Sequence, residues 1–589
     1  MEAVILQKAK VWLSEVYDEQ TRKEVQNLID GEPSELSEAF YRNLEFGTGG
    51  LRGIIGVGTN RMNVYTVAIA TQGFANYIKK SYPQGTQLKV AIACDSRHKS
   101  SLFSEITARV FAANDFKVYL FMGMRPTPEL SFAVRHFNCC AGVMITASHN
   151  PKEYNGYKAY WSDGGQLVAP HDSNVIKEVE KITDFTQVKL LGKMGEDIET
   201  AMKEKPDSIE WIGIEVDNAY LAKVKALSLS PQAIAKQKNF KMVYTPLHGT
   251  GATLVPRVLR ELGFESLSIV ADQAVPDGDF PTVKSPNPEE KAALQMAIDQ
   301  AKYIGADLVM ATDPDADRVG IAVRSKSGEY LLLNGNQTAS VLIYYLLNKW
   351  KELGRLTGKE YIVKTIVTTE LLKDIAERHG VKCYDVLTGF KFIAEVLKEK
   401  EGEEIFIGGG EESYGYLVSD FVRDKDAVIA CCMIAEMAAD AACQGKSFID
   451  ILETLYKEYG FYKEGLFSLT KKGKSGIEEI QQMMNRYRTH PPKEINGSRV
   501  LKIYDYKSSE MSDCLTGSKD VIKLPKSDVL QFFTEKGDKV TIRPSGTEPK
   551  IKFYFGVKAP WIEGVSYEEQ NVALEKQIEA IVISLGLRK

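Results

Sequence analysis

The sequence predicts an α/β protein: three tandem, similar α/β domains with mainly parallel sheets, then a C-terminal α+β domain, around a central cleft. Two observations predict this fold. A pattern of strand, helix, strand and polar loop occurs three times, and the pattern is lost after about residue 456. The length of 589 residues agrees, because roughly 100–200 residues form one domain. We expect domains at 1–205, 206–325, 326–455 and 456–589.

Each repeat reads as two strands joined by a helix. The strand, helix and strand are 117–120, 128–136 and 141–145 in the first repeat, 266–270, 288–303 and 307–311 in the second, and 382–386, 390–398 and 404–407 in the third. Such alternation is typical of parallel strands with crossover helices. Because ligands bind beyond the carboxyl ends of such strands, we expect each polar loop to face the cleft.

The segments around the repeats are assigned from periodicity and composition. Helices are predicted over most of residues 1–45 and over 64–80, and a strand over 88–93 that ends at Cys94-Asp95-Ser96-Arg97. Charged, apolar-poor stretches at 195–208 and 324–329 are predicted to be linkers. The C-terminal domain is predicted to hold a helix near 476–487 and alternating strands.

Composition and charge exclude several classes of protein. The net charge of −5 gives no reason to expect nucleic acid or an anionic membrane as a partner. The longest apolar run, 427–435, is shorter than the ~20 residues that span a bilayer. The N-terminus does not resemble a secretory signal. The eight cysteines form no C-x-x-C pair, so we expect a reducing, cytoplasmic environment.

The polar loop after strand 141–145 carries Ser148. It reads TASHNPKEYNGYK from Thr146 to Lys158, and the Asn150-Pro151 step marks a turn. The hydroxyl of Ser148 therefore lies just past a strand end, where ligands bind. An ordinary Ser/Asn turn, in which the hydroxyl only satisfies the backbone, is the alternative.

The second polar loop, TDPDADR at 312–318, is rich in carboxylates. Alternate residues of an extended chain point the same way, so Asp313, Asp315 and Asp317 can converge. Carboxylates this close repel one another unless a cation lies between them. Oxygen ligands favour Mg²⁺ or Ca²⁺. An EF-hand is excluded because its sixth and twelfth positions hold Arg318 and Arg324. The alternative is a solvated acidic loop.

Three other segments are suited to binding sugars or phosphates. The loop GGGEESYG at 408–415 can bring the backbone, Glu411 and Ser413 toward sugar hydroxyls, although taken alone an acidic turn is slightly favoured. The loop 543–547 is suited to a phosphate dianion. In FGTGGLRG at 46–53, Arg52 offers a positive fork. Plain turns are the alternatives for both. For the run Arg423 to Asp426, we favour an exposed salt-bridging segment.

Together these motifs resemble a known family. TASHNP with Lys158 ten residues after Ser148, DPDADR, GGEES and RPSGTEP occur in the order found in the α-D-phosphohexomutase superfamily. The resemblance runs from about Phe46 to the end of the chain. FGTGGLRG and the N-terminal helices look most like the phosphoglucomutase and phosphomannomutase branch, which also includes phosphopentomutases.

The resemblance implies a role for individual residues. Ser148 would carry the phosphoryl group and, with Asp313, Asp315 and Asp317, hold Mg²⁺. Lys158 would be an acid/base candidate. Arg52, His149 and Arg318 would lie around the transferring phosphate. The implied substrate-binding residues are Arg318, Thr388, Glu411, Ser413, Lys425, Arg543, Ser545, Gly546 and Thr547. Many relatives have Gly-His where this chain has Tyr414-Gly415, so a histidine acid/base from that loop is not available.

The function implied is that of a phosphosugar mutase. Phospho-Ser148 would donate to the 6-hydroxyl of glucose 1-phosphate, and the resulting hexose 1,6-bisphosphate would turn over and return its other phosphoryl group. The fourth domain would act as a lid that keeps water out. Mannose and pentose phosphates remain open as substrates. A Mg²⁺-dependent phosphatase and a non-catalytic sugar-phosphate sensor remain alternatives. The sequence leaves the oligomeric state open.

Overall fold

The structure is a computed structural model that describes residues 2–47, 50–471, 473–545 and 550–588. The chain divides into two compact units. Unit 1 comprises Met1–Asn334, Phe390–Gly408 and Ser413–Gly445, and unit 2 comprises Gly335–Gly389, Gly409–Glu412 and Lys446–Lys589.

Unit 1 begins with three helices and a six-stranded sheet. In chain order the elements are α1 (Glu2–Val11), α2 (Glu19–Asp30), α3 (Pro33–Phe40), β1 (Gly50–Ile54), α4 (Val64–Ser81), β2 (Lys89–Cys94), α5 (Ser100–Ala113), β3 (Lys117–Phe121), α6 (Thr127–His136), β4 (Ala141–Ile145), β5 (Tyr154–Trp161), α7 (His171–Glu180), the 3₁₀ turn Phe185–Gln187, α8 (Ile198–Met202) and β6 (Ile209–Ile212). The strand order is β1-β5-β4-β2-β3-β6.

A second, five-stranded sheet follows in unit 1. Its elements are α9 (Ile214–Lys225), α10 (Pro231–Lys236), β7 (Met242–Thr245), α11 (Gly251–Leu262), β8 (Leu267–Ile269), α12 (Ala271–Ala274), α13 (Lys291–Ile304), β9 (Leu308–Thr312), β10 (Val319–Arg324) and β11 (Tyr330–Leu333), in the order β11-β10-β9-β7-β8. The later segments of unit 1 hold α16 (Phe390–Glu399), most of β14 (Ile405–Gly410), β15 (Tyr416–Val418) and α17 (Ala427–Cys443).

Unit 2 combines the start of the third repeat with the C-terminal region. Its elements are α14 (Gly335–Glu352), β12 (Glu360–Thr365), α15 (Leu371–Arg378), β13 (Lys382–Val386), α18 (Phe448–Tyr459), β16 (Phe461–Thr470), α19 (Gly473–Thr489), β17 (Glu494–Ile495), β18 (Ser498–Asp505), β19 (Glu510–Asp513), β20 (Lys519–Val521), β21 (Leu530–Thr534), β22 (Lys539–Pro544), β23 (Lys550–Ala559) and α20 (Tyr567–Ser584). Strands β12 and β13 are parallel. The C-terminal strands form one sheet in the order β16-β23-β22-β21-β18-β19-β20, and β17 pairs with β18.

Both sheets of unit 1 are mixed. Their central strands are parallel, as in β2 with β3 and β4, or β7 with β8 and β9. The strands that follow the serine and aspartate loops, β5 and β10, turn back and pair antiparallel with β4 and β9. The reason is loop length, because only a crossover of a dozen or more residues returns a strand in parallel. The predicted alternation of strands and helices is confirmed.

Two hydrophobic cores form in the N-terminal part of unit 1: the first core surrounds β4, and a second lies among the N-terminal helices. All five residues of β4 are buried, which is typical of a strand covered on both faces. A Cβ on Gly142 would lie 2.5 Å from Val134 of α6, so this glycine allows the helix to pack closely. The predicted N-terminal helices pack through Trp12, which stacks on Tyr17 at 4.6 Å and meets Tyr65 of α4 edge-on.

Both predicted linkers are wrong. The first, 195–208, contains α8, whose Ile198 and Ala201 are buried in the first core. Arg109 fastens the chain before it by donating to the carbonyls of Leu191, Lys193 and Glu196. The many charged residues concealed two apolar residues at helical spacing. The second, 324–329, is the turn of the β10–β11 hairpin.

Other boundaries shift or stay untested. Gly408 to Gly410 belong to β14, so the predicted loop 408–415 begins later than expected. The first sheet extends to Ile212 and the second to Leu333, whereas the domain boundaries at 205, 325 and 455, like the cleft, stay predictions. In the described part of the chain no single helix is long and apolar enough to cross a membrane, although one bent pair of consecutive helices, Ala427–Cys443 and Phe448–Tyr459, passes on length and composition alone.

Candidate active site

The serine loop holds Ser148 in an unusual backbone conformation. Ser148 has φ = +51°, in the left-handed region that costs roughly 1–2 kcal/mol for a residue with a Cβ. Its N–H donates to Thr146 Oγ1 at 2.8 Å, and the residue is 4% exposed. The hydroxyl donates to Asp313 Oδ2 at 2.7 Å and lies 3.1 Å from His149 Nδ1. The strained conformation therefore directs the hydroxyl at the aspartate loop.

Arg97 holds the backbone of this loop in place through hydrogen bonds. Its guanidinium donates to the carbonyls of Pro151 (2.8 Å), Tyr154 (3.0 Å), Ser148 (2.6 Å) and Asn150. Asp95 lies 3.3 Å from Arg97 Nε, and both side chains are fully buried. One planar group thus binds four carbonyls, which a lysine could not do.

The aspartate loop is the tight connection between β9 and β10. Thr312 pairs with Val319, and Ala316 at φ = +50° turns the chain between them. Asp313 Oδ1 accepts the N–H groups of Asp317 (3.1 Å) and Arg318 (3.0 Å). One carboxylate oxygen from each of Asp313, Asp315 and Asp317 lies within 4.8 Å of the others, and all three residues are buried. The predicted convergence is confirmed.

The three aspartates fit a divalent metal ion. Asp315 Oδ1 and Asp317 Oδ1 are buried and have no hydrogen-bond partner, so two hard oxygen donors are unused. Burial, with the charges of Asp315 and Asp317, raises the pKa of Asp313 well above its usual value. A cation bound here would use the free oxygens and relieve the repulsion.

Two lysines lie against the same carboxylates. Lys158 Nζ donates to Asp315 Oδ2 at 2.6 Å and to Asp317 Oδ2 at 3.2 Å. Lys425 Nζ lies 3.1 Å from Asp317 Oδ2 and donates to Asp424 Oδ1 at 3.0 Å. Burial opposes ionisation, yet the lysines and Arg318 lower the pKa of Asp317, and the aspartates raise that of Lys158. Lys158 is therefore protonated in this arrangement.

The exposed run predicted for Arg423 to Asp426 is wrong, because all four residues are buried. Asp424 accepts from Tyr160 (2.7 Å) and from Gln166 (2.9 Å), which positions the neighbouring Lys425. A Cβ on Gly415 would lie 2.1 Å from Lys425 Cδ. The departure Tyr414-Gly415 thus leaves room for this lysine.

Three further predicted residues lie in or beside the serine and aspartate loops. Arg318 Nη1 donates to Glu289 at 2.7 Å, and the exposed Arg52 donates to Asn150 Oδ1 at 3.4 Å. Burial and then the charge of Arg318 lower the pKa of His149 to about 2. His149 is therefore neutral at pH 7 and can act as a hydrogen-bonding group but not as a cation.

The other predicted substrate-binding residues lie mostly in unit 2. Glu411 is buried, and Thr388 is half-buried with no hydrogen-bond partner for its hydroxyl. Arg543 at the end of β22 hydrogen-bonds Tyr554, whose pKa burial and Glu412 raise to about 12. Ser545 donates its N–H to Lys550 O at 2.7 Å. Ser413 belongs to unit 1, and Gly546 and Thr547 lie outside the described residues.

Comparison with known families decides what this arrangement is. Three domains described as phosphoglucomutase/phosphomannomutase α/β/α domains I, II and III match residues 43–186, 218–327 and 334–459. The chain is 37% identical over 543 residues to a phosphoglucomutase of Staphylococcus epidermidis, covering 92% of this chain and 95% of the relative.

The chain belongs to the phosphoglucomutase/phosphomannomutase family. A phosphoglucomutase of Staphylococcus aureus is also 37% identical, over 532 residues, with coverage of 90% and 93%. The chain is accordingly a phosphohexomutase, an isomerase of the α-D-phosphohexomutase superfamily.

Solved structures agree on the fold. Parafusin, a phosphoglucomutase from Paramecium, has a TM-score of 0.67 at 18% identity, covering 93% of this chain and 95% of that one. A phosphoglucomutase/phosphomannomutase family protein from Burkholderia thailandensis has a TM-score of 0.61 at 17% identity, with coverage of 92% and 97%. This phosphohexomutase has three α/β/α domains and a further C-terminal domain.

The structure places three residues at the site for which the sequence predicts no role there. Arg97 follows a predicted strand, Asp424 lies in the run predicted to be exposed, and no motif marks Thr127. Thr127 Oγ1 donates to Asp315 Oδ2 at 2.8 Å. Only the position of Arg97 after β2 could have revealed it, since its four acceptors are backbone carbonyls that leave no mark in a sequence.

Proposed function

We propose that this phosphohexomutase interconverts glucose 1-phosphate and glucose 6-phosphate through phospho-Ser148 and a hexose 1,6-bisphosphate intermediate. The observation that carries the proposal is the buried contact of 2.7 Å between Ser148 Oγ and Asp313 Oδ2. An ordinary Ser/Asn turn, in which the hydroxyl only satisfies the backbone, does not explain why this serine lies with three carboxylates and two lysines. Glucose is named first because the relatives at 37% identity are phosphoglucomutases; mannose and pentose phosphates are the alternatives.

Each transfer moves one phosphoryl group. The bond from phosphorus to Ser148 Oγ breaks while a bond to the sugar O6 forms; the proton of the 6-hydroxyl leaves to a base, and Ser148 Oγ takes up a proton to become the free hydroxyl. The second half reverses these changes at the other end of the bisphosphate. Such a transfer needs positioning and charge neutralisation more than covalent help from the protein.

Asp313, Asp315 and Asp317, with the phosphate on Ser148, would hold Mg²⁺, which supplies charge neutralisation at the phosphoryl oxygens when bound. Arg318 and Arg52 would bind the equatorial oxygens, and neutral His149 would donate one hydrogen bond. Lys158 is our candidate for the group that exchanges these protons. Its Nζ lies 2.6 Å from Asp315 Oδ2; as the protonated amine it can donate to the leaving oxygen and, once neutral, it can accept the proton of the hydroxyl that attacks.

Sugar recognition is proposed for six described residues. Glu411, Ser413 and Thr388 would bind hydroxyls, whereas Lys425, Arg543 and Ser545 would bind the phosphate that does not react. We extend the phosphate role to Gly546 and Thr547 from the resemblance alone. We also propose a cytoplasmic location, supported by eight free cysteines.

Intact-mass measurement of the purified protein tests the proposal. Incubation with glucose 1,6-bisphosphate should add one phosphate that peptide mapping assigns to Ser148, and Ser148→Ala should stay unmodified. A phosphate on an aspartate together with release of inorganic phosphate would instead show a phosphatase. Binding of glucose 6-phosphate without any modification or turnover would show a sensor.

A further inference from the structure

A basic cavity of about 520 Å³ opens on the C-terminal region of unit 2, and none of the described residues proposed for catalysis or substrate binding lines it. It is lined by Lys457, Lys536, Lys558, Tyr459, Trp561 and Glu563, among others. Its size lies in the range of about 300–1,000 Å³ that is typical of small-molecule sites. Three lysines against one glutamate make its lining positive.

The cavity is built by three segments that meet at one end of the C-terminal sheet. Lys457 lies in the last turn of α18, Lys536 in the turn between β21 and β22, and Lys558 near the end of β23. A Cβ on Gly460 would lie 3.1 Å from Lys558 Cε, and Gly460 has φ = +91°. The glycine therefore leaves room for the lysine where α18 leads into β16.

Two of the lysines have no carboxylate partner. Among the described residues, no ion pair involves Lys457 or Lys536; Lys457 Nζ lies instead 5.7 Å from the centre of the Trp561 ring. Lys558 is 2.9 Å from Asp374 and is therefore already neutralised. Unpaired ammonium groups that line one cavity attract an anion with more than one charge.

The cavity is separate from the proposed phosphate loop. Strands β16 and β23 pair over their full length, from Phe461 with Ala559 at one end to Thr470 with Lys550 at the other. The cavity lies at the first end. Arg543 pairs with Lys552 nearer the second end, six residues before Lys558 of the cavity lining. At ~3.4 Å per residue, six residues separate the two levels of the sheet by about 20 Å. A ligand in the cavity cannot be the one bound by Arg543.

We propose that this cavity is a second binding site that takes a small polyphosphorylated metabolite. Lysines bind phosphate as point charges without demanding a fixed geometry, and the volume exceeds what a single phosphate fills. The shared chemistry is two or more phosphate groups on a small carrier; the carrier is either a sugar or a nucleoside. By joining α18, the β21–β22 turn and β23, such a ligand stabilises the C-terminal region.

Calorimetric titration of the full chain tests this site, with inorganic pyrophosphate, ATP and fructose 1,6-bisphosphate as probes. The test variant is Lys457→Ala/Lys536→Ala. The matched control is Lys523→Ala/Lys526→Ala, two exposed lysines of the same region that do not line the cavity. We expect the test variant to lose at least about tenfold in affinity for one probe, while the control binds as wild type does. The binding should weaken as salt rises.

Two additional readouts separate this site from the active site. Mutase activity without probe should be the same in all three proteins, and the probe should raise the thermal midpoint of wild type and control but not of the test variant. The stronger of ATP and fructose 1,6-bisphosphate identifies the carrier. Equal affinities in test variant and control, no binding of any probe at millimolar concentration, or binding only of heparin or anionic vesicles would each overturn the proposal.

Discussion

Backbone strain at Ser148 separates the chemical role of its side chain from its structural role. Both Ser148→Ala and Ser148→Gly remove the hydroxyl, so both should lower turnover by several orders of magnitude. The left-handed conformation costs alanine roughly 1–2 kcal/mol, whereas glycine pays about 0.5–1 kcal/mol in backbone entropy. The glycine variant should therefore be more stable by up to about 1.5 kcal/mol. Denaturant unfolding and a coupled assay measure both quantities.

Near-normal turnover in either variant would remove Ser148 from the mechanism. A glycine variant less stable than the alanine variant would show that the surrounding loop relaxes once the hydroxyl is lost. The conformation would then be held by the contact with Asp313 rather than by the loop.

Asp315 tests the metal site. Asp315→Asn removes one of three converging charges, together with an oxygen that has no hydrogen-bond partner. We expect the Mg²⁺ concentration for half-maximal activity to rise about tenfold or more, and kcat to fall. Asp307→Asn, an exposed position just before β9, is the control and should keep the wild-type Mg²⁺ dependence. Identical Mg²⁺ curves for both variants would place the metal elsewhere.

At the scale of elements, local patterns predicted the strands and the polar loops well. The runs at β4 and β9 are short, apolar and followed by turn residues, so their ends were placed within about one residue. Local patterns did not predict the elements that depend on tertiary contacts. α8 is short and mostly charged, and only the burial of Ile198 and Ala201 against the first core makes it a helix. Arg423 to Asp426 are charged but buried because residues distant in the sequence bind them: Tyr160 donates to Asp424, and the N–H of Arg423 donates to Ser131 Oγ.

We predict that the conformation of the serine loop depends on Arg97. Arg97→Lys keeps the charge near Asp95 but loses the fork that binds four carbonyls. A displacement of about 1 Å at Ser148 can lower the rate about a hundredfold, so we expect kcat to fall between about ten- and a hundredfold with little change in KM.

Arg109 provides the matched control for Arg97. It also donates to three backbone carbonyls, but in the segment 191–196 far from the serine loop in sequence. Arg109→Lys should lower the thermal midpoint and leave kcat unchanged. If both variants lost stability and neither lost kcat, Arg97 would be a structural residue only.

Helix α17 begins at Asp426, whose titration should be visible in stability. Its side chain caps the helix by accepting from Ile429 N–H at 2.8 Å and also accepts from Tyr220. Burial raises the pKa of Asp426 to about 7. Because the folded state holds this proton more tightly than the unfolded state, its contribution to stability declines as pH rises from about 4 to about 7.

Asp426→Asn keeps a capping acceptor and removes the titration. The variant should match wild type at pH 4.5 and have the higher thermal midpoint at pH 7.5. Thermal unfolding at both values of pH measures this. Equal midpoints at pH 7.5 would mean that Asp426 is ionised without penalty in the folded protein.

At the scale of the whole molecule, function draws on side chains far apart in the sequence. Ser148, Asp313 and Lys425 come from three segments, yet unit 1 brings them into hydrogen-bond or ion-pair networks with common members. The sequence identified the polar loops that carry Ser148 and Asp313, because in each repeat a polar loop follows the second strand. The sequence could not show the distances between these side chains, because the folded chain sets them. It also could not show that His149 is neutral, because burial lowers the pKa of that residue.

Arg543 of unit 2 lies at the end of β22. Its guanidinium hydrogen-bonds Tyr554, a residue that lies near the charges of Glu412 and Glu411. We propose that it binds the phosphate remote from Ser148, so Arg543→Ala would lose a charge-assisted contact of roughly 1.5–3 kcal/mol. That corresponds to about ten- to a hundredfold in kcat/KM for glucose 1-phosphate. Phosphorylation of Ser148 by glucose 1,6-bisphosphate should persist, though more slowly.

The control for Arg543 is Arg499→Ala, an exposed arginine of β18 in the same sheet. It should keep the wild-type kcat/KM. Glucose 6-phosphate formed and inorganic phosphate released are measured together, since weaker retention of the substrate should raise hydrolysis relative to mutase flux. The two substitutions remove the same charge from the same sheet, so a selective effect of Arg543→Ala reports its position and not the charge of the domain. Equal kcat/KM and equal hydrolysis ratios in both variants would make Arg543 a surface residue with no part in binding.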